Sequence, residues 1–367
     1  MLQQTQVKTV IPFWNRWLRE LPTIEVAAKA PSAKIHKLWE GLGYYTRVRN
    51  LQKAAQQIVA QQASRRRRGD ESQTKTRSET PHVVSCKFPE KFDDVLALPG
   101  IGRYTAGAIC SIAFNQPTPI LDGNVIRMLT RIFGIAENPK EKQTSARLWK
   151  LAEELVSFSK TQTQRNSCSH LNQSLMELGA LVCTPRSPQC LICPVKKLCV
   201  AFKENRVEEL PNPGKREAAT ARRFIAFAIE RDGKFLVRQR PTAVVNAHLW
   251  EFPNVEVTDA PSSRPSPPLG EKVAGGRLRG NAPASESFDK AKAAFQKLFG
   301  VKSKAIQPLC TVKHSITRYR ITLQAFSVSL EKIPKNSDGI WKTPAQMQAL
   351  AFTSAHKKIL GSLEKRC

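Results

Sequence analysis

Cys183, Cys190, Cys193 and Cys199 stand in the spacing C-x6-C-x2-C-x5-C. Four thiolates so close along the chain can wrap one centre without distant chain crossings. Tetrahedral sulfur ligation suits zinc or an iron–sulfur cluster. Zinc sites usually carry paired C-x2-C knuckles, whereas a single knuckle with two wider arms suits the larger [4Fe–4S] cube. With every position filled by protein, such a centre leaves no open site for a substrate, which points to a structural role. Arg186, Lys196 and Lys197, in and beside the loop, could meet phosphates. The chain has nine cysteines, an odd number, and its opening MLQQTQVKTVIPFW lacks the charged start and apolar centre of a secretory signal. Metal ligation is therefore expected over a disulfide framework.

A second stretch, LPGIGRYTAGAICSIAFNQPTPILDGN over residues 98–124, has the make-up of a helical hairpin followed by a poised carboxylate. Pro99 should end one helix, and Gly100 and Gly102 permit turns closed to other residues. The small, apolar run from Tyr104 to Phe114 should form a second helix. Its first N–H groups have no partner inside the helix and can hold a phosphate oxygen. Asp122 lies between Leu121 and Gly123 at the end of a Pro-containing loop. Taken alone, the stretch reads equally well as a Gly-rich turn and a helix N-cap aspartate.

These residues need elements to hold them. The chain's 367 residues suffice for two domains, and 58 Lys and Arg oppose 30 Asp and Glu, a net charge of +28. That surplus favours a polyanion partner, nucleic acid first. No run approaches the roughly 18 apolar residues of a membrane-spanning helix, so no membrane partner is expected. Residues 1–62 read as helical, with Leu38, Leu42 and Tyr45, then Leu51, Ala55 and Ile58, at helical spacing. Gly41-Leu42-Gly43-Tyr44-Tyr45 breaks them. Residues 63–87 open on Arg65-Arg66-Arg67-Arg68 and continue rich in Ser, Thr and Glu, the composition of a disordered basic insertion. Helices should resume at Phe88 and run to about residue 182. A polar linker is expected at 204–222. Beyond it, Phe224–Ile229 and Phe235–Arg240 read as strands joined by Arg231-Asp232-Gly233, a hairpin signal. A loop at 259–287, a helix over Phe288–Phe299, two strands within Thr311–Ser329 and a mostly helical Ala345–Leu363 complete an α+β part.

The cysteine spacing, set directly after a helix-hairpin-helix, resembles the cluster loop of the endonuclease III-like DNA glycosylases. The lyase branch of that group carries a lysine directly after the Gly-x-Gly-Arg of the hairpin. Here that position is Tyr104, and a phenol cannot form a Schiff base. MLQQTQV (1–7), GLGYYTRVRNL (41–51), LPGIGRYTAGAI (98–109), LDGNV (121–125), MELGALVCTPRSPQC (176–190) and WEFPNVEV (250–257) together resemble the adenine DNA glycosylases, the MutY family.

The resemblance implies a mainly α helix-hairpin-helix glycosylase domain with an iron–sulfur cluster loop, plus a C-terminal α+β Nudix-like domain. It divides the chain into residues 1–182, the cluster loop 183–203, the linker 204–222 and the Nudix-like part 223–367. It implies excision of adenine paired with 8-oxoguanine or guanine in double-stranded DNA by a monomer, with the base flipped out of the stack. Asp122 would stabilise an oxocarbenium-like transition state, with Asn124 and Tyr104 arranging the site and Glu177 lining the pocket. Gln4 and Thr5 would fill the gap beside the lesion strand, and Leu42 and Tyr44 would wedge near 8-oxoguanine. Gly100 and Gly102 belong to the DNA-gripping hairpin. Thr317 and Arg318 occupy the family's Phe-Ser-His loop, so the ring and the imidazole are lost and a hydroxyl is kept. No run matches the acidic Nudix metal box. The family's catalytic glutamate, which would protonate adenine, falls upstream of Leu2, before Met1. The reading is thus of a truncated chain for which Glu177 does not substitute. An 8-oxoguanine-mispair binding protein without excision, and an endonuclease III-like glycosylase/lyase, are the alternatives. The basic insertion suggests a nuclear location, with the mitochondrion as the second choice.

Overall fold

The computed structural model describes residues 1–3, 5–67, 86–162, 164–214, 218–242, 244–257, 284–301, 303, 305–316, 318–330 and 338–365. For residues 65–67 and 284–287 it describes the backbone alone. Packing divides the chain into two compact units, Asn50–Arg216 and Met1–Arg49 with Glu217–Cys367.

The central unit is helical. It holds most of α4 (Thr46–Arg67), then α5 (Phe92–Leu96), α6 (Arg103–Phe114), α7 (Gly123–Ile132), α8 (Lys142–Lys160) and α9 (Ser167–Glu177). A wider π turn, Leu178–Val182, continues α9, and the short α10 (Val200–Lys203) closes the cysteine loop. Ile120, Val125, Met128 and Leu129 pack with Leu148 and Ala152 of α8 in one apolar core. Val95, Ala106 and Cys110 form a second, smaller core between α5 and α6. Leu98 O accepts Ile101 N–H at 3.1 Å in the turn between those helices. Gly100 has φ +77°, and a Cβ there would lie 2.6 Å from Asn50 Cβ, so another residue would press on α4.

The other unit joins α1 (Val7–Glu20), α2 (Ile24–Lys29) and α3 (Ser32–Trp39) to a mixed sheet with its own helices. The strands are β1 (Thr220–Arg231), β2 (Lys234–Gln239), β3 (Trp250–Glu251), β4 (Asn254–Val257), β5 (Ala305–Ile316), β6 (Tyr319–Ser329) and β7 (Ile340–Lys342). The order is β3-β2-β1-β6-β5, with β4 against β1 and β7 against β2. Asp232 (φ +52°) and Gly233 (φ +69°) make the turn from β1 to β2, with Arg231 paired to Lys234. β1 and β6 run parallel from Thr220↔Tyr319 to Glu230↔Ser329.

Alternation along β1 explains its unbroken apolar run. Ile225, Phe227 and Ile229 face the core with Phe295 and Phe299 of α11 (Ala284–Phe299). Ala226 and Ala228 face the core with Met347 of α12 (Pro344–Gln348) and Ile359 of α13 (Ser354–Glu364). A strand covered on both faces is apolar throughout, and its period-2 signal disappears. Among the described residues no helix is long and apolar enough to cross a membrane.

The structure differs in detail from the sequence reading at three places. Helix α4 continues to Arg67, so the segment read as an inserted loop begins as helix; residues 68–85 lie outside the described residues. The segment read as a linker from 204 is anchored at Leu210, which is buried and whose carbonyl accepts Arg131 Nε–H at 2.8 Å. The expected loop at 259–287 lies outside the described residues up to 283, and α11 begins at Ala284.

On β3, Glu251 is buried between Arg238 (Nε to Oε1, 3.0 Å) and Arg240, with His356 Nε2 4.0 Å from its Oε2. His356 Nδ1 accepts Phe252 N–H at 3.0 Å. Burial pushes the His356 imidazole from 6.5 down to about 4, against the attraction of Glu251 and with the repulsion of Arg240, Arg238 and His314. The folded protein therefore refuses a proton that the unfolded chain accepts below 6.5. Stability contributed here is complete above pH 6.5 and falls as pH drops toward 4. Denaturant midpoints measured across that window should decline with acid, and His356→Asn should flatten the decline.

Candidate functional site

Asp122 is the N-cap of α7. Its Oδ1 accepts N–H bonds from Asn124 (2.9 Å) and Val125 (2.8 Å). Among the described residues its Oδ2 meets only the Asn124 amide, at 3.4 Å, a long contact. The carboxylate is thus fixed in orientation while one oxygen keeps accepting capacity. Tyr104, in the first turn of α6, packs against the α7–α8 core. Burial, and then the negative charge of Asp122, raise its phenol pKa above 10, so it stays protonated beside the carboxylate. Gly102 gives α6 no side-chain cap, and the first turn carries no acidic residue, which leaves that helix end favourable to an anion.

Beneath Asp122 lies a buried cation. Arg127 Nη2 donates to Asn124 Oδ1 (2.9 Å) and Gly179 O (2.6 Å), and its Nε donates to Cys183 O (2.8 Å). One turn further along α7, Arg131 Nη1 donates to Thr184 O (2.8 Å) and lies 3.4 Å from Cys183 Sγ. Gly179 keeps this contact close, since a Cβ there would sit 3.0 Å from Asn124 Cβ and 3.2 Å from its carbonyl oxygen and would crowd both. Glu177, the last residue of α9, is exposed.

Cys183, Cys190, Cys193 and Cys199 line a single cavity walled by Met128 and Arg131. Among the described residues no three metal-ligating side chains converge on one point as a single ion requires. The four thiols open onto that one cavity, beside Arg131 and Lys196. Burial raises the Cys190 thiol first, and the neighbouring cysteines raise it further, so its thiolate calls for a compensating positive centre. The residues fit an iron–sulfur group. When bound it would cross-link the loop and supply a one-electron redox centre.

The other predicted residues lie in the second unit. Arg47 gathers several of them. Its Nη1 donates to Thr5 Oγ1 (3.0 Å) and Met1 O (3.0 Å) and contacts Gln3 O, while Nη2 donates to Leu42 O (3.0 Å) and Gly43 O (3.3 Å). Thr5 and the Gly41–Tyr44 turn are thereby brought together. Leu42 is only 6% exposed and packs inward, whereas Tyr44, at φ +47°, is 60% exposed. Arg318 is exposed at the β5–β6 turn, and its Nη2 donates to Tyr319 Oη at 3.3 Å. Gln4 and Thr317 lie outside the described residues.

Sequence reading missed Arg127, Arg131 and Arg47. A signal was present for the first two. They lie three and seven residues after Asn124, on one face of an otherwise apolar helix, where a lone solvated cation would not be placed.

Residues 1–154 match the HhH-GPD superfamily of base excision DNA repair proteins. Residues 183–199 match the iron-sulfur binding domain of endonuclease III, and residues 225–362 a NUDIX domain. Together they define a helix-hairpin-helix repair protein with an iron–sulfur cluster loop and a Nudix-like domain. Similar chains include the adenine DNA glycosylase of Schizosaccharomyces pombe, 33% identical over 70% of this chain and 58% of its own length. That of Arabidopsis thaliana is 36% identical over 72% of this chain and 42% of its own. That of Rattus norvegicus is 31% identical over 100% of this chain and 70% of its own. The chain belongs to the adenine DNA glycosylase family. It spans little more than half of the S. pombe relative and less than half of the Arabidopsis one.

Arg127→Met should leave Asn124 Oδ1, Gly179 O and Cys183 O unpaired. Losing a buried cation network of this kind costs about 2–4 kcal/mol. Chemical denaturation, read with the cluster's visible absorbance, should show lower stability and lower iron content together.

Proposed function

We propose that the chain is a monofunctional glycosylase of base excision repair that releases adenine paired with 8-oxoguanine or guanine in duplex DNA. The observation that carries this reading is the Asp122 carboxylate. Two backbone N–H groups hold its Oδ1, and its Oδ2 keeps capacity to face a cation. Cleaving the bond between adenine and deoxyribose builds positive charge on the sugar, and a preoriented carboxylate stabilises it without reorganising. Protonating the leaving adenine is a separate demand on a general acid. Tyr104 supports the monofunctional form, because a protonated phenol cannot attack the sugar as an amine does.

The remaining assignments follow the same reading. Asn124 and Tyr104 arrange the site around Asp122, and Glu177 lines the pocket. Gly100 and Gly102 present the α6 N-terminus to a phosphate. Tyr44 and Leu42 wedge into the stack opened by base flipping, and Gln4 and Thr5 fill the gap beside the lesion strand. Thr317 and Arg318 meet the lesion strand. Cys183, Cys190, Cys193 and Cys199 hold a four-iron cluster that shapes the loop. A nuclear location is proposed on the Arg65–Arg68 run.

Single-turnover adenine release from an 8-oxoguanine·A duplex tests the reading. Asp122→Asn should slow release by about 10²–10³-fold relative to the unaltered chain, as loss of a charge-stabilising group does. Binding without release would instead make the chain a mispair-binding protein. A covalent complex trapped by borohydride would make it a lyase.

A further inference from the structure

Glu40 follows α3 directly and opens the Gly41–Tyr44 turn. Its carboxylate is only 6% exposed, unusual for a glutamate beside a loop. Both oxygens are used. Oε1 accepts Phe352 N–H at 3.0 Å, and Oε2 accepts Lys37 Nζ and Lys357 Nζ, each at 2.8 Å. Lys37 Nζ also donates to Leu350 O at 3.0 Å. Phe352 in turn bridges Trp250 of β3, with Trp250 N–H to Ala351 O at 2.9 Å and Thr353 N–H to Trp250 O at 3.2 Å. A continuous path of hydrogen bonds therefore runs from the sheet, through the segment before α13, to Glu40.

The turn beyond Glu40 is locked from its other side. Trp39 Nε1–H donates to Gly43 O at 3.0 Å, and Arg47 holds Leu42 O and Gly43 O. Gly41, Gly43 and Tyr44 all have positive φ. Such a turn has a definite shape only while its flanks are pinned. Tyr44 is the side chain it presents to solvent.

We infer that Glu40 is a positioning residue for Tyr44: it fixes the turn to the C-terminal sheet through Phe352 and Lys357, and so sets how selectively the chain grips a mispair. The inference rests on the proposed function, in which Tyr44 enters the base stack and the sheet's β5–β6 turn meets the lesion strand. One rigid joint then carries both contacts, and loosening it should lower affinity for the mispair while sparing binding to undamaged duplex, which phosphate contacts dominate.

The experiment is equilibrium binding to three duplexes, 8-oxoguanine·A, G·A and fully matched, with 2′-fluoro-deoxyadenosine at the target to prevent excision. Wild type, Glu40→Ala, Glu40→Gln, Tyr44→Ala and the Glu40→Ala/Tyr44→Ala double variant are compared, with melting temperatures as a check on folding. Glu40→Ala should weaken 8-oxoguanine·A binding about tenfold and leave matched duplex within about twofold. Glu40→Gln keeps an acceptor for Phe352 N–H and should recover part of the loss. The double variant should bind no worse than Tyr44→Ala, since residues acting through one contact are not additive. Equal losses on all three duplexes, or multiplying losses in the double variant, would overturn the inference while the proposed function stood. A wild type with no preference for the mispair would overturn both.

Discussion

The Asp122 turn and the cysteine loop depend on one buried guanidinium. Arg127 reaches Asn124, Gly179 and Cys183 at once, because its planar fork offers donors in fixed directions. A lysine would bring the charge without the fork. The arrangement also answers an accounting problem. Where α9 loosens into the turn Leu178–Val182 and ends, backbone carbonyls lose their helical partners. Arg127 and Arg131, four residues apart on α7, supply donors to Gly179, Cys183 and Thr184. The same bonds fix the end of α9 against the start of α7, where Asp122 caps the helix. A side chain at 179 would crowd this close approach.

The second unit follows the same rule with different residues. Each charge taken out of water is given several partners, as its desolvation requires. Arg47 serves four backbone carbonyls and a hydroxyl around the Gly41–Tyr44 turn. Glu251 serves two arginines beside a buried neutral histidine. In each unit one irregular stretch, Leu178–Val182 in the first and Gly41–Tyr44 in the second, is held by an arginine of a neighbouring helix. Apolar packing alone forms the layers, but it would not specify these turns.

The parts legible in sequence were those with a fixed local cause. Asp232-Gly233 marked its hairpin, because both residues tolerate positive φ. Asp122 followed by Gly123 marked a helix start, and Gly41 and Gly43 marked a break. The four cysteines marked their loop by spacing alone. What escaped was set by distant contacts. Nothing near Arg127 announces that its partners lie more than fifty residues away in Gly179 and Cys183. The grouping of Met1–Arg49 with the C-terminal sheet rests on such contacts too, among them Arg49 Nη1–H to Ala247 O at 3.0 Å. Leu42 and Tyr44 were legible as a pair, yet the turn's positive φ angles send one inward and one out.

The central claim is that Asp122 meets positive charge on the sugar. Affinity for a duplex with a pyrrolidinium ring in place of the target deoxyribose, opposite 8-oxoguanine, tests it most directly, because the cation is present without any bond cleavage or proton transfer. The account predicts that this duplex binds far more tightly than its neutral tetrahydrofuran counterpart, and that Asp122→Asn removes the difference. Equal affinity of wild type and Asp122→Asn for the cationic duplex, with both still preferring it over the neutral one, would place the charge-stabilising group elsewhere and contradict the account.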